Sequence, residues 1–391
     1  MLSPDPYELR EVAPGDLASF LKARDFKGIN VTIPYKQAVI PYLDSLSESA
    51  LRTGAVNTIV NENGRLTGHN TDYDGFIALA RLAGIDFNGA DTVIFGAGGA
   101  AKAIAAASLA MGASRVRFAA RRPSGPDCVP IQDTGAYKDC NILLNATPVG
   151  MYPALDGELP SPSLFPELRG VLDCVYNPLR TRLVLAAQAL GIPSGGGLMM
   201  LVAQACRARE LFRPDEELPS GKAEEIYGKI LRSRRNIVLC GMPGSGKSTV
   251  GRILASLTGR RVVDTDEAVV LQAGMEIPEI FAREGEQGFR RRESAAIESV
   301  APEQGLIISV GGGAVMFEEN VKRLKMNGLL VMLDRRPELL EVGGGRPLSA
   351  DRAALDALYL KRMPVYRKVA DVIIENNGPL EDAAEIIKQY A

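Results

Sequence analysis

One stretch, GMPGSGKST from Gly241 to Thr249, constrains this chain more than any other. It fills G-x-x-x-x-G-K-[ST] at every fixed position. The apolar run 236–240 before it predicts a strand, and Val250, Ile253, Leu254 and Leu257 after it share one helical face. A glycine turn between strand and helix lets backbone N–H groups wrap a phosphate, and the helix N-terminus adds its positive dipole end. Gly241, Gly244, Ser245, Gly246 and Thr249 form the cradle. Lys247 can reach the β- and γ-phosphates, and the Ser248 hydroxyl can ligate Mg²⁺. ATP and Mg²⁺ are the expected cofactors of this region.

A second glycine turn lies earlier. Residues 91–95 read as a strand, Gly96-x-Gly98-x-x-Ala101 as a turn, and the segment to 112 as a helix. Gly96 allows the tight turn, Gly98 and Gly99 let a pyrophosphate approach, and the small Ala101 permits close helix–strand packing. A further strand, 115–119, follows at βαβ spacing, with strands expected at 141–145 and 171–176 and a helix at 182–190. An NAD site offers Asp or Glu after the second strand. Here stand Arg121 and Arg122, then Ser124. Guanidinium groups suit a 2′-phosphate, so the expected cofactor is NADP(H), although two arginines also suit a solvated surface.

Length and charge narrow the classes. A chain of 391 residues holds about two to four domains. The net charge of −2 gives no general attraction to nucleic acid or anionic lipid. No apolar run approaches the ~20 residues of a membrane span, and the first residues show no signal-peptide pattern. Five scattered cysteines without a C-x-x-C point to reduced thiols and a cytoplasmic protein. The single histidine, His69, leaves no material for a zinc site or a Ser-His-Asp triad, and reads as a loop residue. Small-molecule substrates are therefore the expected partners. Oligomeric state is not legible.

Taken in order, residues 28–34 read as a strand ending at Pro34, with a helix able to begin at Lys36. Residues 54–72 read as two strands joined at Asn63-Gly64 and closing on the polar loop Asn70-Thr71-Asp72. A helix is expected from Asp74 to Leu82. Residues 195–212 read as a buried helix, and 213–235 as a polar linker with one solvated helix at 221–232. Asp264 and Asp266 are two apart on a segment read as extended, which puts both carboxylates on one face. Asp334, after an apolar run, reads as a strand end rather than a metal-binding acid.

The second half resembles shikimate kinase over its whole length. GMPGSGKST, DTD (264–266), FRRRE (289–293), GGGAV (311–315), GRPLS (345–349) and KRMPVYRKVAD (361–371) carry the resemblance, in one order. From about Tyr7 to Phe212 the chain is similar to shikimate dehydrogenase. The carriers are NVTIPYK, GAVNTIV, GHNTDYDGF, GAGGAAKA, NATPVGM, YNPLRTRL and MMLVAQA. The resemblance implies an α/β protein: a dehydrogenase-like substrate domain, a Rossmann NADP domain and a P-loop kinase domain with a parallel sheet. The expected bounds are 1–80 with helix 197–213, then 81–196, a linker at 214–235, and 236–391. That family opens with a strand, a Ser-x-Ser motif and a helix. Here six residues precede Tyr7, with only Ser3-Pro4 like the motif, so a shortened substrate domain is expected. Ala120 stands where the family often has Asn.

The resemblance also implies roles. Arg290 and Arg362 would fork the carboxylate of shikimate, and Gly311, Gly312 and Gly313 would present backbone N–H groups to its ring substituents. Asp266 would hold the substrate hydroxyls and orient the attacking one, Asp264 would serve the Mg²⁺ water shell, and Arg346, after three glycines, would ride a closing lid. In the other half Lys36 and Asp72 would form the catalytic pair. Thr32, Asn57 and Gln204 would contact substrate hydroxyls, and Tyr176 would line the site. The expected activities are phosphorylation of shikimate and NADP-linked reduction of 3-dehydroshikimate, in aromatic-precursor biosynthesis. The alternative keeps the kinase and makes the first half a non-catalytic binding or scaffolding module.

Overall fold

Apolar strands alternating with helices and glycine turns cannot bury their strands except in sheets covered on both faces. The computed structural model describes residues 7–123, 125, 127–155, 157–341 and 351–391, in two units, Met1–Gly228 and Lys229–Ala391.

The first unit contains two sheets. Strands β1 (Gly28–Asn30), β2 (Ser45–Leu46), β3 (Thr58–Glu62) and β4 (Arg65–His69) form a mixed sheet in the order β1-β3-β4-β2. The β3–β4 hairpin turns through Asn63 and Gly64 at φ 52° and 88°, the left-handed pair that the sequence signals there. Six parallel strands make the other sheet. They are β5 (Asp91–Phe95), β6 (Arg115–Ala120), β7 (Cys128–Pro130), β8 (Ile142–Asn145), β9 (Gly170–Asp173) and β10 (Ser194–Gly195). Their order, β10-β9-β8-β5-β6-β7, reverses direction between β5 and β8, which opens a crevice at the carboxyl ends of those strands. Apolar clusters cover both faces of this sheet, one around Ile94, Ile104 and Leu144, the other around Val93, Phe95 and Tyr137.

Helix Thr71–Leu82 packs on helix Leu198–Phe212, and Gly75 makes that contact possible. A Cβ at Gly75 would lie 2.6 Å from the Met200 carbonyl oxygen. Gly75→Val is therefore expected to cost about 1–3 kcal/mol through overpacking, read as a lower melting temperature.

The second unit has one parallel sheet, β11 (Asn236–Cys240), β12 (Val262–Asp264), β13 (Ile307–Ser309), β14 (Gly328–Asp334) and β15 (Val372–Glu375), in the order β12-β13-β11-β14-β15. All five residues of β11 are buried, as expected for a central strand with helices on both faces. Helix Lys222–Arg234 carries the chain across the boundary between the units and has no fully buried residue.

Several local expectations are corrected. The strand at 28–34 stops at Asn30, and no helix begins at Lys36; turns lead instead to a 3₁₀ segment at Ile40–Tyr42. The helix expected from Asp74 starts at Thr71, because the Asn70 side chain accepts the Asp72 N–H and caps it. Asp72 is thus a helical residue, not part of a loop. His69 closes β4 rather than sitting in a loop. Asp264 and Asp266 do not share an extended segment. Asp264 ends β12 and caps helix Thr265–Ala273 by accepting the Asp266 N–H at 3.0 Å, so Asp266 lies in the first helical turn. The strand expected at 171–176 ends at Asp173.

Candidate active sites

In the first unit the start of helix Thr71–Leu82 gathers the polar groups. Lys36 Nζ donates to Asp72 Oδ2 at 2.6 Å, and the Asp72 side chain is only 8% exposed. Asn57, also buried, accepts from the Thr71 N–H at 2.8 Å and from the Thr71 hydroxyl. The backbone completes the frame, with Val56 N–H donating to the Lys36 carbonyl. Gln204 approaches the same helix beside Gly75. Thr32 is exposed on the turn after β1, one residue beyond the Val31 N–H that donates to the Asn57 carbonyl. Tyr176 is 39% exposed on the loop after β9. The neighbouring Cys174 thiol is pushed up, first by burial and then by the charges of Asp173 and Asp72. A buried carboxylate with an ammonium at hydrogen-bond distance can hold and deliver one proton at a fixed place. His69 lines a separate hollow with Arg207 and Glu210, and its pKa is lowered first by burial and then by Arg207.

The crevice beside this pair fits a dinucleotide. Gly96 has φ 104°, and a Cβ there would meet Thr147 Cγ2 at 3.0 Å. Gly98 caps helix Gly99–Ala110, and at Gly98 and Gly99 a Cβ would meet nothing within 4 Å. Those two glycines therefore leave open space at a helix N-terminus, which is what a pyrophosphate needs. Ala101 is fully buried under the strand. Arg121 and Arg122 are exposed just after β6 and free to meet a 2′-phosphate.

In the second unit the turn after β11 holds Gly241, Gly244 and Gly246 at φ 147°, 78° and 88°. Side chains at Gly241 and Gly244 would also strike backbone, Leu333 O at 2.8 Å and Glu341 N at 2.6 Å. Ser245 is buried, while Thr249 lies on the exposed side of helix Lys247–Thr258. Lys247 Nζ donates to the Gly241 and Met242 carbonyls at 3.1 and 3.0 Å, inside the loop it would serve. Ser248 Oγ donates to Asp264 Oδ2 at 2.8 Å, so a hydroxyl and a carboxylate meet where the nucleotide's Mg²⁺ belongs. Among the described residues no three His, Cys, Asp or Glu side chains cluster for a metal, so such an ion would depend on phosphate oxygens as well.

The three glycines after β13 lie against four charged side chains. A Cβ at Gly311 would lie 2.6 Å from Asp266 Oδ1 and 2.5 Å from Glu293 Oε1. At Gly312 it would lie 3.0 Å from Arg362 Nη1, and at Gly313 2.2 Å from Arg290 Nη1. Any side chain there would displace the carboxylates and guanidinium groups that converge on this strand end. Arg362 is buried, and Arg290 donates to Glu293 at 2.8 Å and to Glu286 at 3.2 Å. Burial opposes the Arg290 charge, but the two glutamates outweigh it and raise its pKa. Arg346 and the three glycines before it lie outside the described residues, as do Ser124 and Ser3-Pro4. Asp334 pairs with Arg367 at 3.3 Å at the end of β14, away from any metal role.

The comparisons with known proteins join these two sites to families. The shikimate dehydrogenase (NADP(+)) of Moorella thermoacetica is 39% identical over 223 residues, covering 52% of this chain and 76% of that protein. The chain belongs to the shikimate dehydrogenase family. The family model for the shikimate dehydrogenase substrate binding domain matches residues 4–59, and the model for shikimate kinase matches residues 243–391. A shikimate kinase domain is thus fused behind the dehydrogenase region. The crystal structure of shikimate dehydrogenase 1 from Peptoclostridium difficile is 33% identical, covers 56% of this chain and 84% of that one, and superposes with a TM-score of 0.50. The shikimate kinase from Acinetobacter baumannii, in complex with shikimate, is 37% identical and covers 41% of this chain and 95% of that one, with a TM-score of 0.39. No helix among the described residues is long and apolar enough to cross a membrane.

Two polar residues of the kinase domain get their place only from the structure. Glu293 is fully buried between Arg290 and Asp266, and its carboxyl is pushed up by burial. The E of FRRRE marks it, but spacing alone does not say that it faces inward. Asn376 is also buried and donates from Nδ2 to the Ser245 carbonyl at 2.6 Å, tying the end of β15 to the phosphate loop. Nothing in the sequence links two residues so far apart.

Proposed function

We propose that the chain catalyses two consecutive reactions, NADPH-linked reduction of 3-dehydroshikimate to shikimate and transfer of the γ-phosphoryl of ATP to a shikimate hydroxyl. The Lys36–Asp72 contact carries the first assignment: a proton donor and its buried carboxylate stand beside a crevice suited to a dinucleotide. NADPH supplies the hydride to the ketone carbon. Lys36 donates the proton to the developing alkoxide, and Asp72 fixes the ammonium. Thr32, Asn57 and Gln204 bind hydroxyls, and Tyr176 closes the site. Gly96, Gly98, Gly99 and Ala101 shape the pyrophosphate turn, with Arg121 and Arg122 for the 2′-phosphate. A non-catalytic first half has no use for a lysine held at 2.6 Å from a buried aspartate.

For the kinase, Arg290 and Arg362 bind the substrate carboxylate, and Gly312 and Gly313 present backbone N–H groups to the ring substituents; the Gly311 N–H, expected to do the same, already donates to Thr265 Oγ1 at 3.1 Å. Asp266 orients the attacking hydroxyl. Lys247 and the loop Gly241, Gly244, Ser245, Gly246 and Thr249 hold the phosphates, and Ser248 with Asp264 serves Mg²⁺. Arg346 belongs to the transferring phosphoryl. The loose transition state makes charge neutralisation and alignment more important than base strength. We assign 1–80 with helix 197–213 to the dehydroshikimate-binding domain, 81–196 to the NADP domain, 214–235 to the linker and 236–391 to the kinase. Free cysteines, Cys128, Cys140, Cys174, Cys206 and Cys240, support a reducing, cytoplasmic setting.

Cofactor choice is testable by itself. Arg121→Glu with Arg122→Glu is expected to weaken NADPH by about 10–100-fold while sparing NADH, since two exposed arginines sharing one 2′-phosphate together lose about one charge-assisted contact, worth ~1.5–3 kcal/mol. Michaelis constants for the two nucleotides measure this, and an unchanged ratio removes the arginines from the site. The dehydrogenase itself is tested by NADPH oxidation with 3-dehydroshikimate, and the kinase by ADP release with shikimate.

A further inference from the structure

The most deeply buried carboxylate of the dehydrogenase half has no role in the chemistry above. Asp173 ends β9, is fully inaccessible, and pairs in register with Asn145 at the end of β8. Its Oδ1 accepts from Asn145 Nδ2 and from the Val175 N–H, both at 2.9 Å, and its Oδ2 accepts from the Thr181 hydroxyl at 2.6 Å. Three donors and no acceptor are the surroundings of a carboxylate rather than a carboxylic acid.

Three loops meet on this group. Asn145 Oδ1 accepts from the Thr147 N–H at 2.9 Å and from its hydroxyl at 2.6 Å, which fixes the loop after β8. Thr147 is the residue that abuts Gly96 in the dinucleotide turn. Val175 and Thr181 bracket the loop after β9, the one that carries Tyr176. The Val175 carbonyl accepts from the Gly197 N–H at 2.9 Å, and side chains at Gly196 or Gly197 would strike Leu179 O or Cys174 O. That glycine pair opens the helix bearing Gln204.

We propose that Asp173 is a positioning residue of the dehydrogenase site: its charge holds the Thr147 loop against Gly96, the Tyr176 loop and the entry to the Gln204 helix in one arrangement. The proposal rests on the dehydrogenase reading above. Protonation at Oδ2 turns an acceptor into a donor, so the bond to Thr181 must reverse: the hydroxyl, which also accepts from the Val184 N–H at 3.4 Å, has to turn its own proton away, and the anchor of the loop after β9 weakens. Burial pushes the Asp173 carboxyl up to about 7, against the three hydrogen bonds that favour its charge. The groups facing it are Asn145, Thr181, the Val175 N–H and the Cys174 thiol, with Asp72 acting on that thiol from the far side. Site order is therefore expected to fall as pH drops through this range.

The test is the pH profile of kcat/KM for NADPH-linked reduction by the full chain, wild type against Asp173→Asn and Thr181→Val. Wild-type activity is expected to rise about tenfold as pH increases through an inflection at about 7, since misplacement by a fraction of an ångström costs rate on this scale. Asp173→Asn, neutral at every pH, is expected to lack the inflection and stay at the low-pH level. Thr181→Val removes a bond that favours the charged form, so its inflection is expected to move to higher pH. A merely structural role would lower melting temperature and leave the inflection in place. An inflection unmoved in both variants overturns the proposal. Should Asp173→Asn fail to fold, the Thr181→Val shift decides: upward supports, unmoved overturns. A folded wild-type chain that oxidises no NADPH at any pH overturns the dehydrogenase reading, and this proposal with it.

Discussion

Lys36→Ala is expected to lower kcat for NADPH-linked reduction of 3-dehydroshikimate by about 10²–10⁴-fold, the usual worth of a positioned proton donor. Shikimate-dependent ADP release should be unchanged in the same preparation, which makes the kinase an internal control for the amount of intact chain, while melting of the first unit reports its folding. The size of the effect follows from geometry. Nζ is held at 2.6 Å from Asp72 Oδ2, and that carboxylate is almost closed to solvent. Water cannot simply take the place of the ammonium as donor. Removing Lys36 also leaves a buried carboxylate without its partner, so some loss of stability accompanies the variant. Lys36→Met retains most of the side-chain volume and separates packing from proton transfer. Asp72→Asn should give a comparable loss, and the double variant should be little worse than either single one, because a pair acting as a unit is not additive. Near-normal turnover in Lys36→Met would remove the pair from the chemistry.

Lys247→Ala is expected to cut shikimate-dependent ADP release by about 10²–10³-fold, on the scale of losing one preorganised charge at a developing anion. The dehydrogenase rate should not change. In the present arrangement the ammonium bonds the Gly241 and Met242 carbonyls of its own loop, so it is already within the cradle when phosphate arrives. The loop backbone has other supports as well. Asn376 supports the Ser245 carbonyl, and the left-handed glycines keep their conformation through packing against β14 and its continuation. The variant should therefore keep these supports and lose the charge together with its two hydrogen bonds to the loop. Lys247→Arg is not expected to rescue, since a broad planar fork does not fit a cradle built for a compact ammonium. Full activity in Lys247→Ala would put the phosphates elsewhere.

Where local chemistry decides, the sequence was a good guide. The Asn63-Gly64 hairpin, the glycine turns at Gly96 and Gly241, and the strands before them follow from backbone freedom and apolar runs, and the structure has each of them. Element starts were less legible. Asn70 and Asp264 both cap helices through their side chains, and each moved a supposed loop or strand residue, Asp72 or Asp266, into a first helical turn. A carboxylate in a D-x-D or N-x-D string looks alike in either setting. Long-range packing was not legible at all. The triple glycine 311–313 reads as a strand end offering backbone N–H groups, but its reason lies in Asp266, Glu293, Arg362 and Arg290 arriving from three helices. Asp173, Asn145 and Thr181 meet only because β8 and β9 pair in register.

One reaction mixture tests the joint assignment most directly: the purified chain with 3-dehydroshikimate, NADPH, ATP and Mg²⁺, followed for both NADPH loss and ADP gain. The expected result is that ADP appears only when NADPH is present and lags behind its oxidation, with a phosphorylated shikimate as product. NADPH consumption without ADP, or ADP formed equally well when NADPH is withheld, would contradict a chain that makes its own kinase substrate.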